Sequence, residues 1–161
     1  MTVRQPVVRL RRVTESDADL ILAWANDPET RAASFHPDPI DPSGHVRWLV
    51  ARLASPTTGF WIGESDDGRP IGQVRVEGAD GSVGEVSISI APDARGHGFG
   101  RALLLAAVEE AGRTLPIRRL LARVRLDNPA SLALFAGAGF RERSRGTCSD
   151  VPCATFELEV R

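Results

Sequence analysis

The stretch GEVSISIAPDARGHGFGRALLL, residues 84–105, decides the fold. Val86, Ile88 and Ile90 alternate with Glu85, Ser87 and Ser89, the period of a strand with one buried face. A glycine-rich loop from Arg95 to Gly100 follows and opens directly onto an apolar helical run. A strand, a glycine turn and a helix start aim several backbone N–H groups and the positive end of a helix dipole at one point, which is what a phosphorylated ligand requires. Two common phosphate loops are excluded. Counted from Gly96 and Gly98, the last glycine of GxGxxG would fall on Arg101, and a P-loop needs a lysine that the chain lacks.

Arg95, Gly98 and Gly100 instead fill the pattern of a glutamine or arginine, two residues, then GxG or GxA. About thirty residues on, LARVRLDNPASLALFAGAGF, residues 121–140, reads as a strand ending near an asparagine, a short helix, then a glycine and an aromatic residue. Asn128, Ser131, Leu134, Phe135, Gly139 and Phe140 hold those places. In these two blocks, in this order, the chain resembles the GNAT superfamily of acyl-CoA-dependent N-acetyltransferases.

The resemblance implies an α/β (α+β) fold: one GNAT-like domain over residues 1–161, with a central mixed, mostly antiparallel sheet of six to seven strands flanked by about four helices. It implies acetyl-CoA as acetyl donor, held at Arg95, Gly96, His97, Gly98, Phe99, Gly100 and Arg101. Further cofactor contacts are implied at Ser89, Ile90, Asn128, Ser131 and Phe135. The family's strand bulge and splayed strand pair would free the Ile90 N–H to stabilise charge on the thioester oxygen. Transfer to an amine also needs a base. Glu85 is the candidate, at the start of the strand, with Ser87 and Ser89 on its face able to hold a relaying water. Many relatives place a tyrosine where this chain has Phe135, and phenylalanine has no proton to give. Ser131, Cys148 or a water is left to protonate the departing thiolate.

Acceptor identity is expected from the N-terminal half. WANDPETRAASFHPDPIDPSGHVRWL, residues 24–49, resembles bacterial N-acetyltransferases that act on a nucleotide-linked 4-amino sugar in the pseudaminic acid pathway, and ribosomal-protein N-terminal acetyltransferases share a similar opening. The resemblance implies acceptor contacts at Arg31, Phe35, His36, His45 and Glu85. The implied function is acetyl transfer from acetyl-CoA to a primary amine, with a nucleotide-sugar or a protein N-terminus as acceptor. An acyl-CoA-binding regulatory module without turnover is the reading from a different class. The tryptophans at 24 and 48, on apolar helical faces, are read first as core.

Composition adds bounds. With 161 residues and 42% hydrophobic content the chain can build one real core. Residues 1–94 hold 9 arginines against 14 acids and residues 95–161 hold 11 against 7, so the positive half is the half with the phosphate loop. Arg118, Arg119, Arg123 and Arg125 are individually read as solvated strand flanks. Near-neutral net charge argues against nucleic acid, and no apolar run is long enough for a membrane span or a leader. A cytoplasmic protein is expected, with a closed homodimer as the ordinary prior for a small enzyme. Cys148 and Cys153 flank an SDVP turn and are expected as free thiols, with no metal site.

Periodicity places strands at 7–13, 60–64, 71–77, 83–90, 119–125, 140–144 and 154–160. Helices are expected from Thr14, as N-cap, to about Asn26, where Pro28 intervenes, and at 42–54, 98–114 and 129–137.

Overall fold

The computed structural model describes residues 5–79 and 82–160; half of the expected GADG turn, at 80 and 81, lies outside them. Strands β1 (Arg9–Arg12), β2 (Thr58–Glu64), β3 (Pro70–Ala79), β4 (Val83–Ile90), β5 (Arg119–Arg125), β6 (Arg141–Cys148) and β7 (Val151–Glu159) form one sheet in the order β1-β2-β3-β4-β5-β7-β6. Every neighbouring pair is antiparallel except β4 and β5, which run parallel. The crossover between those two is the helix α4 (Phe99–Thr114), as a parallel connection requires.

Three of the five α-helix starts among the described residues are written in the sequence as an Asp or Asn followed by proline. Asp27, Asp41 and Asn128 cap α2 (Pro28–Ala33), α3 (Pro42–Ala54) and α5 (Pro129–Gly137), accepting from the N–H groups of Thr30, Ser43 and Ser131 respectively, and each has proline at the first helical position. Pro28, expected to end a helix, therefore begins one, and the described residues contain five α-helices rather than about four. α1 (Ala18–Ala25) starts later than expected because a 3-10 turn, Glu15–Asp17, precedes it. There the Asp17 carboxylate accepts from the Thr14 N–H at 2.8 Å and from Arg11 Nη1 and Nη2 at 2.9 Å each, so the side chain is committed to the turn.

Helices cover both faces. α4 packs on the face of Val74, Val76, Ile88 and Ile90, with Leu103 and Leu104 fully buried, and α5 lies beside it on β5. α1 and α3 cover the opposite face, with Ile21, Trp24 and Leu49 in the core. Strand β6 is exposed along most of its length and runs farther than the expected 140–144, since its hairpin with β7 continues to a two-residue turn. Ser149 and Asp150 take φ of 48° and 64°, the left-handed pair that such a turn demands. Across this hairpin Cys148 and Cys153 form a disulfide, with Cα atoms 6.0 Å apart. The expectation of free thiols is corrected: the turn brings the two sulfurs together.

Candidate active site

β4 and β5 begin as neighbours and then part. Their parallel register runs only from Val83 opposite Arg119 to Glu85 opposite Leu121, although β4 continues to Ile90 and β5 to Arg125. The Ala91 N–H donates to Ile71 O at 2.8 Å on the β3 side. Alternation in that antiparallel ladder turns the N–H and C=O groups of Ile88 and Ile90 the other way, into the gap. An interior strand thus carries an unpaired edge, and an unpaired edge is where an extended ligand binds.

Two helix N-termini flank the open end of this gap. β4 leads through a short 3-10 turn into the loop Arg95–Gly98 and α4, and β5 leads into Asn128 and α5. Gly96 and Gly98 have φ of +78° and +81°, a backbone that L side chains resist. Gly98 is the N-cap of α4, and no side chain caps that end. The first-turn N–H groups therefore remain to bind an anion such as a pyrophosphate. His97 and Arg101 are exposed and Phe99 and Gly100 half-buried beside this cradle. Residues Ser89 to Arg101 are brought together as the sequence implied, and they fit a CoA-type ligand through backbone groups.

Several expected side-chain roles are corrected. Arg95 turns away from the cradle: Nη2 donates to Asp27 Oδ2 at 2.7 Å and to Thr30 Oγ1 at 3.1 Å, and Nη1 donates to Glu29 Oε2 at 2.6 Å. The guanidinium holds the Asp27 carboxyl below its usual range and staples α2 to the loop. Phe135 is 4% exposed and packs its ring against Phe140 and Phe156, with centroids 5.2 and 6.2 Å away. Its side chain is part of the buried core. Asn128 spends its amide on α5, accepting from the Ser131 N–H at 3.2 Å and donating to Ser131 Oγ at 3.1 Å. That leaves the Ser131 hydroxyl proton free to donate. Cys148, bonded to Cys153, has no thiol proton.

The acceptor side is the sheet face under α1 and α3, where Glu85, Ser87 and Ser89 point. Glu85 lies at the vertex of the gap, with Arg123 Nε 3.6 Å from its carboxylate. His45 is corrected from an acceptor contact to a packing residue: it is buried, its Nε2 lies 2.8 Å from Ala18 O, and its ring stacks on Trp48. Arg31 is likewise committed, its Nε donating to Ala25 O at 2.6 Å and Nη1 to His36 O at 2.8 Å and Asp38 O at 3.3 Å. It shapes the loop from Ser34 to Ile40, which carries the half-buried Phe35 and the exposed His36. That loop is tied across the gap. Arg125 Nη1 donates to Ser34 O at 2.8 Å, and His36 Nε2 lies 3.4 Å from Ser149 Oγ on the β6–β7 turn. Arg125 is therefore no solvated flank, and a contact 91 residues apart reveals it.

Comparison with known proteins matches this architecture. The model of the family described as Acetyltransferase (GNAT) domain matches residues 8–141. The phosphinothricin N-acetyltransferase of Alcaligenes faecalis is 35% identical over 140 residues, covering 81% of this chain and 68% of that protein. Spermidine N-acetyltransferase from Vibrio cholerae, solved with CoA and spermine, superposes with a TM-score of 0.83 at 19% identity over 95% of both chains. An aminoglycoside acetyltransferase solved with coenzyme A does so with a TM-score of 0.79 at 21% identity over 94% of both. No helix among the described residues is long and apolar enough to cross a membrane. From the parted strands, the glycine cradle and the family match over most of its length, the chain belongs to the GNAT acetyltransferases, with acetyl-CoA as acetyl donor and an amine as acceptor.

Proposed function

We propose that the protein acetylates the primary amine of a small acceptor that also bears an acidic group, the amino-acid type of compound that phosphinothricin exemplifies. The observation that carries this reading is the charge of the acceptor face. Arg123 is half-exposed there beside Glu85, Arg125 borders it beside Asp127, and Arg52 and Arg75 pair with Glu77 farther along the same face, so four arginines stand against three carboxylates and one positive charge is left over. Such a face attracts a carboxylate or phosphinate and repels a polycation. The tied loop Ser34–Ile40 supports a small acceptor over a nucleotide-linked sugar or a protein N-terminus. The 35% identity to a phosphinothricin N-acetyltransferase points the same way.

Bound at the cradle, acetyl-CoA supplies an activated thioester, so that an amine and acetyl-CoA give the N-acetyl amine and free CoA. The protein's part is placement and proton handling. The Ile90 N–H stabilises negative charge developing on the thioester oxygen. The Ser131 hydroxyl donates a hydrogen bond to the departing sulfur, and the thiolate takes its proton from solvent, balancing the one that Glu85 takes from the amine. From Glu85 to Ile90 the strand rises about 16 Å, beyond the reach of a carboxylate, so Glu85 receives the amine's proton through waters along the exposed Ser87.

The test is an acceptor panel with acetyl-CoA, followed as CoA thiol release: phosphinothricin, glutamate, a UDP-linked 4-amino sugar, a peptide with a free N-terminus, spermidine and an aminoglycoside. The expected order puts the acidic amino compounds first, with Arg123→Gln raising their KM about tenfold, the worth of one charge-assisted hydrogen bond. Spermidine or the peptide turning over fastest would overturn this reading, and the UDP-sugar turning over fastest would replace it with the nucleotide-sugar reading.

A further inference from the structure

The face of the sheet under α1 and α3 carries polar side chains where packing against helices calls for apolar ones. The register sets Glu77 beside Glu85, Arg75 beside Ser87 and Gln73 beside Ser89. The first two rows are compensated within the protein. Arg75 Nε lies 2.6 Å and Arg52 Nε 3.4 Å from Glu77 Oε1, ion pairs rather than aligned hydrogen bonds, and the Arg75 guanidinium sits 4.9 Å from the Trp48 ring. Arg123 answers Glu85.

The third row is not compensated. Gln73 Oε1 and Ser89 Oγ are both shut off from solvent, and neither has a hydrogen-bond partner. Buried oxygens of this kind are costly, and native proteins keep them satisfied by protein, by ordered water or by a ligand. Their position discriminates among these. Ser89 directly precedes Ile90, whose N–H opens into the gap, and Gln73 lies one strand farther in, on the same face. Ser89 thus stands on the strand that borders the gap where an amine must arrive to meet the thioester, with Gln73 directly behind it on β3. Glu85, by contrast, is about 13 Å of strand away from Ser89. Two neighbouring acceptors call for a donor with two N–H bonds, which a neutral primary amine is.

We propose that Gln73 Oε1 and Ser89 Oγ accept the two N–H bonds of the acceptor amine and so turn its lone pair toward the acetyl carbon. The proposal rests on the reading of N-acetyl transfer to a primary amine and adds the residues that orient it. Because the two oxygens lack partners in the free protein, removing them relieves the fold while harming the reaction, whereas a structural role harms both.

The experiment uses Gln73→Met, Ser89→Ala and the double variant in the full chain, with acetyl-CoA and phosphinothricin. Three quantities are measured: steady-state CoA release, acetyl-CoA affinity by calorimetry, and Tm. Each single variant is expected to lose about tenfold in kcat/KM for the acceptor, the worth of one hydrogen bond, with acetyl-CoA affinity within twofold of wild type and Tm unchanged or raised. The double variant is expected to lose less than the product of the singles, since both oxygens serve one nitrogen. Acceptor kcat/KM within twofold of wild type, or a loss of activity matched by a fall in Tm, overturns the proposal. If phosphinothricin is not acetylated but another amine of the panel is, the acceptor class proposed above fails, and the same criteria applied with that amine decide on Gln73 and Ser89. If no amine is acetylated, both fall.

Discussion

Installing the tyrosine that many relatives carry, Phe135→Tyr, separates a missing acid from a packed core. The Phe135 ring meets Phe140 edge-on, with planes at 80°, and lies tilted by 32° over Phe156, with 4% of the residue exposed. A hydroxyl added there enters the hydrophobic core, and left without a hydrogen-bond partner it costs about 1–3 kcal/mol. For a chain of this size that corresponds to a Tm lower by roughly 2–12 °C. Held in that core, the hydroxyl is kept from solvent, so kcat is expected to stay within about twofold, where a newly supplied general acid gives a hundredfold or more. Thermal unfolding followed by circular dichroism and CoA release at saturating acetyl-CoA measure the two quantities on the same preparation. A tenfold rise in kcat with Tm unchanged would refute the placement of Phe135 in the core and return the proton-donor role to that position.

The clamp at Arg95 predicts that Arg95→Ala lowers Tm and raises the acceptor KM by loosening α2 and the loop Ser34–Ile40, while acetyl-CoA affinity by calorimetry falls less than tenfold because backbone N–H groups make the cradle; a larger loss would give the side chain a direct role. Asp17→Asn tests the turn before α1: Arg11 holds the Asp17 carboxyl below its usual range, so the pair's stabilisation is complete above about pH 4 and is lost as pH falls through the lower folded-state value. Denaturant titrations from pH 2 to 7 are expected to show a steep acid limb that the variant flattens. Replacing both Cys148 and Cys153 by serine opens a short loop and is expected to cost about 2 kcal/mol, a fall of about 4–8 °C in Tm measured under oxidising conditions; identical Tm values for wild type and variant would show that the hairpin turn alone fixes that end of the sheet.

The fold was legible where local chemistry decides it. The alternation of Val86, Ile88 and Ile90 and the glycines at 96 and 98 have no other economical reading, because both are dictated within a few residues. The boundaries that failed are those where one residue type serves two purposes. Pro28 ends a helix in one setting and begins one in another, and only the Asp27 cap, itself held by Arg95 from 68 residues away, selects the second. The backbone geometry of the candidate cradle was legible for the same reason as the fold. The candidate site's side chains were not: His45, Arg31 and Arg95 carry the chemistry of ligand contacts, yet each is spent on the protein's own carbonyls or carboxylates. Gln73 was hidden for a different reason, since a polar residue alternating with apolar ones on a strand looks like a solvent-facing position until a helix is found above it.

The parted strands explain why backbone and side-chain readings fared so differently. β5 keeps its full antiparallel partnership with β7 from Arg119 to Arg125, and β4 keeps its own with β3 through Ile90, so each strand is held on its outer side while the pair between them opens after Glu85 and Leu121. On the reading proposed above, donor binding needs little from any side chain: the open edge of β4 and the uncapped start of α4 would supply the N–H groups, and glycine is the only residue type the geometry dictates there. Acceptor choice has no such backbone template. On the same reading it depends on which side chains line one face of the opening, and the proposed ones come from β3, β4, β5 and the loop Ser34–Ile40, joined only by contacts distant in sequence. A domain built this way can retain its donor while its acceptor changes, because substitutions at Gln73, Ser89 or Arg123 leave the cradle backbone as it is.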